Sequence, residues 1–99
     1  MRIGILGGTG PAGSALGARL ASVGFDVVLG SRSKERAMEV AAAVKAKWPA
    51  LTLGMTGGDN DDASACDVIV LATPWDSAAT TAVDHLALLR GKVVISMAN

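Results

Sequence analysis

The sequence is poor in several residue types that particular functions need. It has no tyrosine and only three aromatic residues, Phe25, Trp48 and Trp75, which argues against a stacking platform for single-stranded nucleic acid. Nine basic and nine acidic residues cancel, so the chain lacks the broad positive field that would attract nucleic acid or an anionic membrane. Its single cysteine cannot form an internal disulfide, and no apolar run approaches the roughly 18 residues of a membrane span. Met1 leads directly into an apolar stretch without a signal sequence, so we expect a cytoplasmic protein.

What the chain does have is a regular alternation of short apolar runs with longer, alanine-rich stretches of helical period. Apolar residues make up 51% of the sequence, enough for the core of one domain. The predicted strands are Arg2–Leu6, Asp26–Leu29, Leu51–Met55, Asp67–Ala72 and Lys92–Met97. Helices are predicted from the glycine turn to Gly24, from Ser33 to Trp48 and from Trp75 to Arg90, with a short one before the fourth strand. This order indicates an α/β fold, a Rossmann-like parallel sheet of about five strands with helices on both faces.

Two of the predicted strands lie in the runs "VIVLA" and "VVISM", which are continuously apolar. We therefore expect both faces of these strands to be buried. The chain stops at Asn99, directly after the last strand, where a doubly wound sheet normally continues. We expect it to be the first part of a longer protein.

The stretch "ILGGTGPAG", Ile5 to Gly13, places four glycines between a predicted strand and a predicted helix. Gly8, Gly10 and Gly13 satisfy the pattern G-x-G-x-x-G, in which the first glycine permits a tight turn and the second lets the backbone approach a pyrophosphate. The third lets the helix close on the strand, and we expect Gly17 to pack closely against the sheet in the same way. The alternative is a glycine turn that only tightens the corner between strand and helix.

The residues after the second predicted strand bear on which dinucleotide would bind. An NAD site usually carries an acidic residue about 20 residues past the glycines, but the sequence there reads "LGSRSKER", with no carboxylate at the end of the strand. Ser31, Arg32 and Arg36 could instead hold the 2′-phosphate of NADP. The alternative is a solvated basic helix start with Ser33 as its N-cap.

Other motifs have simpler structural explanations. "TPWD", Thr73 to Asp76, lies at the carboxyl edge where ligands of such sheets bind, but it also approximates a helix-initiating capping box. "GDNDD", Gly58 to Asp62, lacks the ligand pattern of a calcium site and is better explained as a loop that caps the short helix. His85 has no nucleophile beside it and is interpreted as a surface or rim residue. Cys66 is expected to pack in the core.

Together these motifs resemble the N-terminal domain of the F420H2:NADP oxidoreductases, also called NADPH-dependent F420 reductases. The resemblance is carried by "MRIGILGGTGPAGSALGARLASVGFDVVLGSRS", "CDVIVLATPWD" and "GKVVISMAN" and spans nearly all of the chain. It implies direct hydride transfer between the nicotinamide C4 of NADP(H) and the C5 of coenzyme F420, a deazaflavin, so that the protein orients the two rings and no catalytic side chain is expected. It also implies a homodimer in the full-length protein, whose C-terminal half would help to form the F420 pocket.

The resemblance assigns cofactor contacts to residues that follow the predicted strands. The glycine turn would hold the pyrophosphate, the residues after the second strand would hold the 2′-phosphate, Thr73 and Pro74 would border the nicotinamide, and Met97 to Asn99 would lie near the deazaflavin. The expected cofactor-binding residues are Gly8, Thr9, Gly10, Pro11, Ala12, Ser31, Arg32, Arg36, Thr73, Pro74, Met97, Ala98 and Asn99.

We therefore expect residues 1–99 to form an NADP-binding Rossmann domain, with the C-terminal domain absent from this chain. The expected partners are the small molecules NADP(H) and F420, and neither nucleic acid nor a membrane. Two alternatives remain open. One is another NADP-dependent reductase with the same first domain, of the pyrroline-carboxylate or imine reductase type. The other is a non-catalytic NADP-sensing module, because Gly7, Gly10 and Gly13 also fit the looser spacing G-x-x-G-x-x-G.

Overall fold

A computed structural model describes residues 1–73, 81, 85 and 89–97 of the chain. Five parallel strands form one sheet in the order β3-β2-β1-β4-β5. The strands are β1 (Arg2–Leu6), β2 (Asp26–Ser31), β3 (Met55–Asp59), β4 (Val68–Leu71) and β5 (Val93–Ser96), and the helices are α1 (Pro11–Ser22), α2 (Lys34–Lys47) and α3 (Asn60–Ser64). The predicted Rossmann-like fold is therefore confirmed. Within the described residues, no helix combines the length and the apolar character that crossing a membrane requires.

The first two helices begin and end close to where the sequence predicts. Helix α1 starts with Pro11, whose fixed φ suits the first helical position, and Gly24 follows it at a φ of +102°. Helix α2 starts after Ser33, whose hydroxyl accepts a hydrogen bond from the Arg36 N–H at 3.2 Å. The helix predicted from Trp75 to Arg90 lies largely outside the described residues.

Apolar side chains cover both faces of the sheet because successive residues of a strand point to opposite sides. On one face, side chains of β1, β2 and β3 pack with Ala21 of α1 and Ala41 of α2. On the other face, β1, β2 and β4 pack with Ala63 of α3 and with Cys66. Cys66 is 1% exposed, which confirms its predicted place in the core.

The prediction for the third strand, Leu51–Met55, is wrong, because β3 begins at Met55 and ends at Asp59. Leu53 and Met55 are buried as their alternation suggests, but they lead into the strand instead of forming it. The strand itself contains two glycines, which are unusual in strands. A Cβ at Gly57 would collide with the backbone carbonyl group of Ala37 in α2. Close packing of α2 therefore explains why a sequence with little strand propensity forms β3.

The prediction of burial on both faces holds for β4 and fails for β5. Ile69 and Val70, which point to opposite faces of the sheet, are 0% and 3% exposed, because β4 lies between β1 and β5. Strand β5 lies at the edge of the sheet, and its Val93 and Ile95 are 62% and 51% exposed. The apolar run correctly predicted a strand but not its position in the sheet.

Candidate functional site

The carboxyl ends of the five parallel strands meet at one edge of the sheet. The strand order reverses between β1 and β4, and such a reversal opens a crevice in which ligands of doubly wound folds bind. Most of the described candidate residues lie at or shortly after the ends of strands at this edge, and Arg36 lies in the first turn of α2. The glycine turn follows β1. Ser31 is the last residue of β2, and Arg32 follows it. Thr73 follows β4, and Met97 follows β5.

The glycine turn is tightly packed at its first and third glycines. Gly7 has a φ of +68°, which turns the chain sharply after β1. A Cβ at Gly8 would lie 2.8 Å from the Ile5 carbonyl oxygen, and a Cβ at Gly13 would lie 2.9 Å from Gly8 Cα. A Cβ at Gly17 would lie 2.9 Å from Leu29 Cδ2. The structure thus confirms the close packing predicted for Gly17 and shows that the first and third glycines of the motif are required by geometry.

Gly10, the middle glycine of the motif, is different because it faces open space. A Cβ there would find its nearest atom, the Gly7 carbonyl oxygen, 4.0 Å away. Gly10 is also the N-cap of α1, where no side chain caps the helix and no acidic residue lies in the first turn. The N-terminus of α1 therefore keeps its uncompensated N–H groups and partial positive charge beside an open backbone surface. This arrangement suits an anion, and a phosphate in particular.

A second group of donors lies at the end of β2. Ser31 is 9% exposed, and its hydroxyl accepts a hydrogen bond from the Ser33 N–H at 3.2 Å. Lys34 pairs with Asp62 at 3.7 Å, whereas neither Arg32 nor Arg36 forms an ion pair with any residue of the described part of the chain. Ser33 caps α2 as the structural explanation predicted, yet two guanidinium groups remain free at the start of this helix.

Thr73 lies directly against the glycine turn from the side of β4. A Cβ at Gly7 would lie 2.6 Å from Thr73 Cγ2, and the buried Thr73 hydroxyl has no hydrogen-bond partner among the residues that the structure describes. Buried hydroxyl groups are usually hydrogen-bonded, so this group is an unusual polar atom beside the turn. Met97 is partly buried, and its N–H donates to the Leu71 carbonyl at 2.9 Å. The predicted contacts Pro74, Ala98 and Asn99 lie outside the described residues.

The acidic stretch "GDNDD" has the capping role that the sequence predicts. The Asp59 side chain accepts a hydrogen bond from the Asp62 N–H at 2.7 Å, and the Asp62 side chain accepts one from the Asp59 N–H at 3.0 Å. The two residues form a capping box at the start of α3. His85 is partly buried, with its Nε2 3.3 Å from Asp61 Oδ1. In the part of the chain that the structure describes, no three His, Cys, Asp or Glu residues come together as metal ligands.

One residue beside the glycine turn is missed by sequence reasoning. Asn60, the first residue of α3, accepts a hydrogen bond from the Gly7 N–H through its Oδ1 at 3.1 Å. It lies 53 residues from Gly7 in the sequence, so no local spacing indicates the contact. Within "GDNDD" it is indistinguishable from a residue that only helps to start the helix.

The reversed strand order and the strand–glycine turn–helix unit define the class of this chain as a Rossmann-like, doubly wound α/β domain. Residues 2–99 match the model of the family described as "NADP oxidoreductase coenzyme F420-dependent". The chain therefore belongs to the F420-dependent NADP oxidoreductase family, as its motifs predicted.

Curated relatives and a solved structure agree with this assignment. The chain is 37% identical to the F420-dependent NADP reductase of Methanocaldococcus jannaschii, with 98% of the chain and 44% of the relative aligned. It is 35% identical to the enzyme of the same name from Methanothermobacter thermautotrophicus, over 96% of the chain and 41% of the relative. A solved structure from Arthrobacter sp. FB24, provisionally assigned as an F420-dependent NADP reductase, superposes with a TM-score of 0.79 at 26% identity, over 100% of this chain and 45% of that one. The chain thus spans less than half the length of these relatives.

Proposed function

We propose that residues 1–99 form the NADP(H)-binding domain of an oxidoreductase that transfers a hydride between NADP(H) and coenzyme F420. The observation that supports this most strongly is the combination of an open glycine turn after β1 with two arginines after β2 that form no ion pair within the described part of the chain. The two groups lie at neighbouring strand ends, because the Gly8 N–H donates to the Gly30 carbonyl at 2.8 Å. A dinucleotide with a 2′-phosphate requires such a pair of anion sites.

The turn fits the pyrophosphate through its backbone. The space that a Cβ at Gly10 would fill is free, so phosphate oxygens can come within hydrogen-bonding distance of the N–H groups there. Pro11 removes one N–H at the first helical position, and those of Ala12 and Gly13 point out of the helix N-terminus. We assign the pyrophosphate to Gly8, Thr9, Gly10, Pro11 and Ala12 on this basis.

The residues after β2 fit the 2′-phosphate. Arg32 offers a planar fork of donors that matches phosphate oxygens, and Arg36 offers a second positive charge one helical turn later. The Ser31 hydroxyl already accepts from Ser33, which leaves its own proton available to a phosphate oxygen. No carboxylate ends the strand to bind an unphosphorylated ribose, so this edge favours NADP over NAD.

The family resemblance assigns Thr73 to the nicotinamide end of the cofactor, and its buried hydroxyl, which has no partner within the described residues, lies beside the turn. Pro74 on the same side, and Met97, Ala98 and Asn99 near the deazaflavin, follow from the family resemblance. When bound face to face, nicotinamide and deazaflavin supply the hydride donor and acceptor themselves. The task left to the protein is to orient the rings and exclude water, and the homodimer expected for the full-length protein is part of the same proposal.

Cofactor preference is the first test, and calorimetric titration with NADP and NAD measures it. Arg32→Ala should weaken NADP selectively. One charge-assisted hydrogen bond at an exposed site is worth about 1.5 kcal/mol, or roughly tenfold in Kd. Arg19→Ala is the matched control, because Arg19 is an exposed arginine in the last turn of α1, at the other end of that helix. Equal affinity for NADP and NAD in the unchanged protein, or no affinity for NADP, would contradict the proposal.

The reaction is tested separately, with protein expressed from its complete reading frame. NADPH and F420 are mixed with this protein, and the loss of deazaflavin absorbance is followed with time. Bleaching that depends on the protein supports the proposed reaction. NADP binding without any turnover of F420 would contradict it and would favour an NADP-sensing module or a reductase for another substrate.

A further inference from the structure

We propose that Asn60 is a positioning residue for the pyrophosphate site, acting through the backbone of Gly7. The inference rests on the proposed NADP-binding function and extends the site to α3, on the opposite face of the sheet from α1. In the structure, Asn60 is 9% exposed and its Oδ1 accepts the Gly7 N–H at 3.1 Å. Buried backbone N–H groups need such partners, and Gly7 immediately precedes the turn that would carry the phosphates.

The contact crosses a strand, and this makes it more than a local helix feature. Asn60 follows β3, whereas Gly7 follows β1, and β2 lies between these strands. The carboxamide therefore passes over the end of β2 at Gly30. A Cβ at Gly30 would lie 2.9 Å from Asn60 Oδ1 and 2.8 Å from Ala63 Cβ, so the glycine leaves room for the side chain to reach the turn.

The same position supplies a second anchor. The Gly8 N–H donates to the Gly30 carbonyl at 2.8 Å, next to the bond between Gly7 and Asn60. Two consecutive N–H groups of the turn are thus tied to β2 and α3. This pairing fixes the direction in which the following residues, Thr9 and Gly10, present their backbone. Loss of the Asn60 acceptor would free one of the two anchors and allow the turn to rotate away from the phosphates.

The chemistry of the side chain is also suited to the site. An amide oxygen accepts a hydrogen bond without carrying a charge. A carboxylate at the same place would accept the same bond but would add a negative charge close to the bound phosphates. Asparagine therefore anchors the turn without opposing the ligand.

The test compares Asn60→Ala with the unchanged protein in titrations with NADP and with adenosine 2′-monophosphate. The second ligand has the 2′-phosphate but no pyrophosphate, so it does not use the turn. We expect Asn60→Ala to weaken NADP about tenfold or more and to leave adenosine 2′-monophosphate within about twofold. A purely structural defect would weaken both ligands together. Absence of NADP binding by the unchanged protein would instead refute the proposed function itself.

Two further variants keep the inference testable. Ser64→Ala removes another buried hydrogen bond of α3, from the Ser64 hydroxyl to the Asn60 carbonyl at 2.8 Å, and should lower the melting temperature without changing NADP affinity. Asn60→Asp keeps an acceptor of the same shape but adds a carboxylate beside Asp59, Asp61 and Asp62, so it separates the effect of the hydrogen bond from that of the charge. Compared with the unchanged protein at the same salt concentration, its NADP affinity should be lower at low salt, and the difference should shrink at high salt because salt screens the added charge. Unchanged NADP affinity in both Asn60 variants, or an equal loss in Ser64→Ala, would overturn the inference.

Discussion

The substitution Gly10→Ala separates binding of the cofactor from stability of the fold. Gly10 has φ −72° and ψ 167°, an extended conformation that alanine adopts without strain. The nearest atom to the added methyl group is 4.0 Å away, so nothing in the protein must move. Alanine has less conformational entropy than glycine in the unfolded chain, and this difference stabilises the fold by about 0.4–1 kcal/mol. Alanine is a poorer N-cap than glycine by a similar amount. The free energy of unfolding should therefore change by less than about 1 kcal/mol, which shifts the melting temperature of a domain of this size by at most about 8 °C.

Binding should respond very differently to the same methyl group. It occupies the space through which a pyrophosphate reaches the backbone, and the loss of even one charge-assisted hydrogen bond costs about 1.5–3 kcal/mol. We expect NADP affinity to fall at least tenfold, measured by calorimetry beside a thermal melt. Wild-type affinity in a folded Gly10→Ala protein would show that phosphates do not approach this glycine. A strongly destabilised protein would show that the space around Gly10 is not open.

Two further predictions concern the core. Gly57→Ala introduces the same methyl group where it meets the Ala37 backbone, so α2 must shift from the sheet. We expect a loss of about 3 kcal/mol in urea unfolding, at the upper end for overpacking, and a variant as stable as Gly10→Ala would refute the close contact. Burial raises the pKa of the Cys66 thiol, so the native protein should not react with an aromatic disulfide reagent at about pH 8 and should react once unfolded. Because the thiol ionises more readily in the unfolded chain, its contribution to stability should decline as the pH rises through its ordinary pKa of about 8.5 and above. Rapid reaction of the native protein would contradict its burial.

Local patterns predicted the parts of the fold that local interactions determine. Helix α1 follows from a glycine turn, Pro11 and a helical spacing of apolar residues, and all of these signals lie within one stretch of sequence. Strand β3 was misplaced because its residues have little strand propensity and pair with β2 under the close packing of α2. Strand β5 was assigned correctly as a strand, but its exposure depends on the order of strands in the sheet, which no run of apolar residues encodes.

The residues of the candidate site likewise fall into those indicated by local sequence patterns and those that depend on the tertiary fold. Gly10, Arg32 and Arg36 could be proposed as candidates because the spacing of the motif and the missing carboxylate are visible in the sequence. The contact of Asn60 with Gly7 could not, since it depends on α3 returning across β2. The burial of the Thr73 hydroxyl, which has no partner in the described ranges, also depends on how the chain packs around it.

The hydrogen bond from the Gly8 N–H to the Gly30 carbonyl has a consequence for altering cofactor preference. It links the turn to the residue immediately before Ser31 through main-chain atoms alone. This link should keep the spacing between the proposed pyrophosphate and 2′-phosphate sites when the side chains at positions 31, 32 and 36 are changed. Of these positions, Ser31 is buried and Arg32 and Arg36 are exposed, and all three can be exchanged for residues that bind an unphosphorylated ribose while the spacing between the two proposed sites is retained. Redesign toward NAD should thus start from the end of β2 and leave the glycine turn untouched.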